Sequence, residues 1–154
     1  MISHADDLRL AVRPAEVLLV EDNAADVRLT REAMKEGRIL NNLHVVGDGE
    51  AAIDFLMQRP PFADAPRPDL VLLDLNLPKK SGREVLAVIK QSPALKTIPV
   101  VVLTTSRAEE DILKTYQLHA NCFITKPVDL DNFIKVVHQV EDFWLLVVRL
   151  PRAD

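Results

Sequence analysis

Three carboxylates, a hydroxyl and an ammonium group each follow a short, largely apolar run of the sequence. They belong to Glu21, Asp22, Asp74, Thr104 and Lys126. Clustered carboxylates repel one another unless a cation neutralises them, and a ligand set made only of oxygen suits a hard ion such as Mg²⁺. The four histidines show no ligand spacing with Cys122 that would suit zinc. These residues predict a magnesium site, provided that the fold brings them together.

Predicted strands and helices alternate along the chain around these groups. Short runs rich in Val, Leu and Ile predict strands at residues 17–20, 43–46, 70–73, 100–103 and 122–125. Amphipathic stretches predict helices at residues 24–36, 50–58, 82–91, 108–118 and 130–148. The first, third and fourth strands are apolar throughout, which is typical of strands buried on both faces of a parallel sheet. The pattern predicts an α/β fold, doubly wound around a five-stranded parallel sheet, with an extended C-terminal helix.

The polar groups at the strand ends are expected to converge on one edge of this sheet. In an open parallel sheet the carboxyl ends of the strands share that edge, and ligands bind there. Two simpler interpretations stay open. Asp22 could cap the helix that follows it, and Lys126 could form a purely structural salt bridge with Asp74.

The composition indicates a single globular domain. The chain has 154 residues, a net charge of −4 and 48% apolar residues, which suits one compact core. An acidic balance without a basic block argues against nucleic-acid binding, and the longest apolar run, residues 143–148, is too short to cross a membrane. One cysteine and no apolar leader predict a cytoplasmic protein. We expect an N-terminal arm at residues 1–15 and one domain at residues 16–150.

A combination of short motifs resembles the receiver domain of two-component response regulators. Its residues, in chain order, are Glu21, Asp22, Asp74, Asn76, Pro78, Gly82, Thr104, Lys126 and Pro127. The resemblance extends from Glu16 to the last predicted helix. It implies a flavodoxin-like sheet with the strand order 2-1-3-4-5 and a cis peptide bond between Lys126 and Pro127.

The resemblance implies a phosphoacceptor and a metal site. Asp74 would take a phosphoryl group from a phosphohistidine of a histidine kinase, giving an aspartyl phosphate. Asp22 and Asp74 would bind Mg²⁺ directly, Glu21 through a water, and Asn76 through its backbone carbonyl. Such a protein catalyses its own phosphorylation and hydrolyses its own acyl phosphate, and is not an enzyme in the usual sense.

The resemblance also implies the groups that sense the phosphoryl group. Lys126 would contact one phosphoryl oxygen and the Thr104 hydroxyl another. Phe123 would be the aromatic switch residue, coupled to Thr104. An ordinary core position for Phe123 is the alternative, because it lies in an apolar strand.

A narrower resemblance concerns the C-terminal third of the sequence. Residues 118–127 and the tripeptide at residues 142–144 are similar to those of single-domain response regulators that serve bacterial phytochromes. This resemblance implies that the partner is a histidine kinase, specifically a phytochrome. Because the sequence ends soon after the last predicted helix, we expect no separate output domain, and the signal would leave through the surface of the domain itself.

The C-terminal helix carries more apolar side chains than one packing face can use. Residues from Phe133 to Val147 that recur at helical spacing would pack on the sheet. Phe143, Leu145, Leu146 and Val148 are left over and predict a homodimer. The alternative is that the tail folds back onto its own domain or onto the N-terminal arm.

Two other functions compete with the receiver. Haloacid-dehalogenase-type phosphatases also use an aspartyl nucleophile and Mg²⁺, but they place an Asp-x-Asp motif after the first strand. Here Asp74 follows the third predicted strand, and Asn76 replaces the second carboxylate. A pseudo-receiver that binds partners without taking phosphate is the other alternative, although all five central groups are present.

Overall fold

A computed structural model describes residues 14–37, 40–77, 79–104, 122–126 and 129–147. Its strands are β1 (Ala15–Val20), β2 (Asn41–Val46), β3 (Leu70–Asp74), β4 (Val100–Thr104) and β5 (Cys122–Thr125). The helices of the described ranges are α1 (Ala24–Lys35), α2 (Gly49–Leu56), α3 (Gly82–Gln91) and α4 (Leu130–Val147). The strands form one parallel sheet in the order β2-β1-β3-β4-β5. The prediction of an α/β fold with a parallel sheet is confirmed.

Helices cover both faces of the sheet, and each face has its own hydrophobic core. On one face α2 and α3 pack against strand residues such as Leu18, Leu73 and Val102. On the other face α1 and α4 pack against residues such as Leu19, Leu72 and Ile124. The strands β1, β3 and β4, which contain the three runs predicted to be apolar throughout, are almost completely buried. This agrees with the expectation for strands that are covered on both faces.

Some element boundaries differ from the sequence prediction for local reasons. β1 begins at Ala15, inside the predicted N-terminal arm, because the Ala15 amide donates to the Leu40 carbonyl at 2.9 Å and Ala15 pairs with Asn41. α2 ends at Leu56, two residues early, since Gln58 has a left-handed backbone with φ of 57°. The rest of the predicted arm and the predicted helix at residues 108–118 lie outside the described residues.

The strand register places the ends of β1, β3, β4 and β5 beside one another. Val20 pairs with Leu73, Asp74 with Leu103, and Thr104 with Thr125. The residues that follow these positions therefore share one edge of the sheet, as parallel strands require. Within the described ranges, every helix is too short or too polar to span a membrane.

Candidate functional site

Asp74 lies at the centre of this edge as the last residue of β3. Its side chain is only 4% exposed, because β1 and β4 flank it in the sheet. One carboxylate oxygen, Oδ1, accepts from the Asn76 backbone amide at 3.0 Å. The other, Oδ2, accepts from Lys126 Nζ at 3.2 Å. Both oxygens are therefore oriented before any ligand binds.

Glu21 and Asp22 extend the cluster from the end of β1. Glu21 is buried and Asp22 is exposed, and one carboxylate oxygen from each of them and from Asp74 lies within 4.8 Å of the others. The predicted convergence of three carboxylates is thus observed. Asp22 does not cap the following helix, because Asn23 is the N-cap of α1 and its side chain accepts from the Asp26 amide at 3.0 Å.

Lys126, which follows β5, neutralises part of this charge. Its Nζ donates to Glu21 Oε1 at 2.7 Å, to Asp26 Oδ2 at 2.9 Å and to Asp74 Oδ2 at 3.2 Å. Burial acts to lower the pKa of Lys126, but the hydrogen bonds to the first two carboxylates and the charge of Asp74 outweigh it and raise the pKa above its ordinary value. Lys126 is therefore a permanent cation, and its side chain is only 16% exposed to water.

Glu21 is the carboxyl group whose pKa burial changes most clearly. Burial and a hydrogen bond shared with Asp74 raise the pKa of Glu21 from 4.5 to about 7, and Lys126 opposes this rise only in part. A carboxyl group in this position loses its proton more easily when further positive charge is present. This behaviour fits a group beside a cation site.

Backbone contacts fix the loops that carry these side chains. The Lys126 amide donates to the Thr104 carbonyl at 2.7 Å, and the Leu75 amide donates to the Leu103 carbonyl at 3.1 Å. Gly82, the first residue of α3, packs so closely on the end of β3 that a methyl group there would overlap the Asp74 carbonyl. Thr104 is fully buried at the end of β4.

The carboxylate cluster fits a hard divalent cation. Glu21, Asp22 and Asp74 supply only oxygen atoms, and one ammonium group does not balance their combined charge. The exposed side chain of Asp22 leaves one side of the cluster open to water, and Mg²⁺ usually keeps several waters. The donor set therefore suits a hard divalent cation, and both Mg²⁺ and Mn²⁺ accept such oxygen ligands.

The structure brings together four of the predicted site residues, namely Glu21, Asp22, Asp74 and Lys126. It also adds Asp26, which the sequence reasoning missed. Asp26 is one helical turn beyond Asp22, and this spacing was the available signal. Acidic residues are common in the first turn of a helix, because they interact favourably with the helix dipole and with free backbone amides. The sequence alone therefore does not distinguish Asp26 from an ordinary acidic residue at a helix start. The predicted ligand Asn76 is exposed and lies two residues after Asp74 in the chain.

Several predicted residues lie outside what the structure describes. Pro78 and Pro127 are among them, so the predicted cis bond before Pro127 is not addressed. The side chain of Phe123 is also outside the description, as are those of the four predicted dimer residues, Phe143, Leu145, Leu146 and Val148.

Known proteins share both the sequence and the fold. The response regulator receiver domain family matches residues 17–138. Response regulator Rcp1 of Synechocystis sp. is 54% identical over 140 residues, which cover 91% of this chain and 95% of Rcp1. The phosphorylated cyanobacterial phytochrome response regulator RcpA is 50% identical and superposes with a TM-score of 0.78, covering 91% of this chain and all of RcpA. The crystal structure of the Mn²⁺-bound form of Rcp1 is 53% identical to this chain and superposes with a TM-score of 0.77. The match covers 90% of this chain and 100% of the Rcp1 chain.

The fold and the acidic site define a domain of the receiver type. A buried aspartate at the end of the central strand lies between two further acids and a lysine, at the edge of a parallel sheet where ligands bind. With a family match over most of its length and these relatives, the chain belongs to the response regulator receiver domain family.

Proposed function

We propose that Asp74 is the residue that takes the phosphoryl group from a histidine kinase. The observation that carries this proposal is the position of Asp74, which is buried among the acids of the cluster with one oxygen 3.2 Å from Lys126 Nζ. Glu21 is as deeply buried, but Lys126 Nζ holds its carboxylate more closely, at 2.7 Å against 3.2 Å for Asp74. Asp74 is also the acid at the end of the central strand of the sheet.

The transfer exchanges one bond to phosphorus for another. An Asp74 carboxylate oxygen forms a bond to phosphorus while the bond from phosphorus to the kinase imidazole nitrogen breaks. The nitrogen keeps the electron pair of that bond and takes a proton from solvent. The product is an acyl phosphate on Asp74, and attack of water on its phosphorus would later return the carboxylate and inorganic phosphate.

The metal would be held by Glu21, Asp22 and Asp74, with Glu21 acting through a water and Asn76 contributing its backbone carbonyl. When bound, Mg²⁺ supplies charge neutralisation for the transferring phosphoryl group. Asp74 would contribute the attacking oxygen. Asp22 would provide a negatively charged metal ligand on the side of the cluster that is exposed to water. The buried Glu21 anchors Lys126 beside the acceptor.

Lys126 and Thr104 would recognise the phosphoryl group after transfer. Lys126 Nζ already lies beside Asp74, so a phosphoryl oxygen on that residue would fall within its reach. Thr104 lies at the neighbouring strand end, and its hydroxyl would donate to another phosphoryl oxygen. Phe123 would then act as the switch residue. It lies in β5, two residues before Thr125, which is the strand partner of Thr104.

The partner we propose is a phytochrome-type histidine kinase. The support is that RcpA, 50% identical to this chain, is a cyanobacterial phytochrome response regulator. The same proposal includes a cytoplasmic location, as the single cysteine suggests. The output would be a change in the surface of the domain, including contacts between two copies.

A homodimer through the C-terminal helix is the form of output that the sequence favours. Phe133 and Val137 of α4 are buried against the sheet, so this part of the helix has its packing partner. The apolar residues that follow, Phe143, Leu145, Leu146 and Val148, would form the contact between two copies. Burying a side chain of this size contributes roughly 1.5–3 kcal/mol.

The test of phosphorylation is intact mass after incubation with acetyl phosphate and Mg²⁺. The parent protein should gain the mass of one phosphate and lose it again with time, through hydrolysis of the acyl phosphate. Asp74→Asn should gain none while unfolding like the parent, because Asn keeps the volume and loses the nucleophilic oxygen. Phosphate uptake by Asp74→Asn would reject Asp74 as the acceptor.

A further inference from the structure

Asp26 is a fourth acid at the site and belongs to α1 rather than to a strand end. Its backbone is held from two sides, because its amide donates to Asn23 Oδ1 at 3.0 Å and its carbonyl accepts from Thr30 Oγ1 at 2.8 Å. Its carboxylate Oδ2 accepts from Lys126 Nζ at 2.9 Å. This contact is shorter than the one from Lys126 to Asp74, which is 3.2 Å.

The three carboxylates use the whole donor capacity of Lys126. A lysine ammonium group has three N–H donors, and Glu21, Asp26 and Asp74 each accept from it. A phosphoryl oxygen can therefore gain a hydrogen bond from Lys126 only if one of these acceptors gives up its own. The question is which carboxylate yields.

Exposure makes Asp26 the acceptor that yields at least cost. The side chains of Glu21 and Asp74 are 0% and 4% exposed, whereas that of Asp26 is 35% exposed. A carboxylate that loses its partner in a buried position pays a desolvation penalty that water cannot offset. Asp26 can replace the lost hydrogen bond with one to water, and the two buried acids cannot.

We propose that Asp26 is a positioning residue that acts through Lys126. It shares the ammonium group in the unphosphorylated protein and releases it when a phosphoryl group on Asp74 requires a donor. This inference rests on the proposed phosphorylation of Asp74 and adds to it a residue outside the strand-end cluster. It also connects the site to the first turn of α1, which loses an ion pair when the phosphoryl group arrives.

The measurable consequence is the rate of phosphorylation. Asp26→Asn removes the competing charge and keeps the backbone contacts of residue 26, while Glu21 still anchors Lys126. We expect sub-saturating acetyl phosphate to phosphorylate this variant about fivefold faster than the parent. A change of this size corresponds to the loss of one partly exposed ion pair. Asp26→Glu restores the carboxylate and should return the rate to within about twofold of the parent.

Two controls separate an action through Lys126 from a general change in charge. Glu84 is an exposed acid in the first turn of α3, 4.0 Å from Lys80, and Glu84→Gln removes the same charge from a helix start. We expect its rate to stay close to that of the parent. In a Lys126→Met background, Asp26→Asn should change the rate no more than Glu84→Gln does in that background.

The outcomes distinguish this inference from the function on which it rests. If the parent protein takes no phosphate, the proposed function fails. If the parent is phosphorylated, the role of Asp26 is overturned when the rate of Asp26→Asn equals that of the parent or that of Glu84→Gln. It is also overturned when Asp26→Asn accelerates phosphorylation as strongly in the Lys126→Met background as in the parent. Thermal unfolding verifies that each variant is folded, and Asp26→Ser, which must show the same acceleration, serves if Asp26→Asn does not fold.

Discussion

At the scale of the residue, the site is a balance between one cation and several buried or half-buried acids. The carboxylate of Glu21 is buried beside Asp74, and Lys126 offsets the cost of its negative charge only in part. The folded protein therefore holds a proton on Glu21 more tightly than the unfolded chain does.

This difference in proton affinity predicts a pH dependence of stability. The pKa of Glu21 is about 7 in the folded protein and 4.5 in the absence of burial. The contribution of Glu21 to the free energy of unfolding is complete below pH 4.5, and it decreases as the pH rises towards 7 and above. Without metal, the parent protein should lose stability over this range relative to Glu21→Gln, which cannot titrate.

Urea unfolding of both proteins in a chelator, at several pH values, measures the effect. The quantity to follow is the difference between the two free energies of unfolding. A difference that stays constant from pH 4.5 to pH 8 would mean that the pKa of Glu21 is not raised by folding.

At the scale of the element, the close contact between α3 and β3 determines how the loop after Asp74 is held. The Gly82 amide donates to the Leu75 carbonyl at 3.1 Å. A Cβ atom at position 82 would lie 2.5 Å from Leu75 Cα and would also overlap the Asp74 carbonyl. Only glycine allows the helix to start this close to the strand that carries the acceptor.

Gly82→Ala is therefore expected to destabilise the protein by about 1–3 kcal/mol, the usual cost of forcing atoms into a packed region. It should also slow phosphorylation, because the end of β3 must move. Gly47→Ala is the matched control, since a Cβ atom there would meet no other atom within 4 Å. Equal unfolding free energies for the two variants would contradict this account of the contact.

At the scale of the whole molecule, the proposed dimer requires the last turns of α4 and the residues beyond them. The inner face of the preceding turns is already used, since Phe133, Val137 and Glu141 are buried in the domain. A chain that ends at residue 142 keeps these contacts. The domain should therefore fold without the proposed dimer residues.

Removal of residues 143–154 should give a monomer that still accepts phosphate. Removal of residues 151–154 alone, beyond the apolar positions, should leave the dimer intact. Sedimentation velocity over a concentration series, with and without acetyl phosphate, measures both. A full-length protein that is monomeric throughout would reject the dimer.

The α/β class, the parallel sheet and the convergence of Glu21, Asp22, Asp74 and Lys126 could all be predicted from the order of residues along the chain. The physical reason is that parallel strands with apolar side chains on both faces must be covered by helices, and their carboxyl ends must share an edge. These conclusions depend on the order of the elements and on no single side-chain conformation.

The capping of α1, the contact between Lys126 and Asp26 and the pKa of Glu21 depend on the folded arrangement of the side chains. The side chain of Asn23, and not that of Asp22, accepts from the Asp26 amide and caps α1, which leaves Asp22 for the acidic cluster. The path of the Lys126 side chain brings Asp26 into the site across 100 residues of sequence. The burial of Glu21 raises its pKa to about 7. Each of these depends on distances of a few ångströms between side chains from different elements, which the spacing of residues along the chain does not specify.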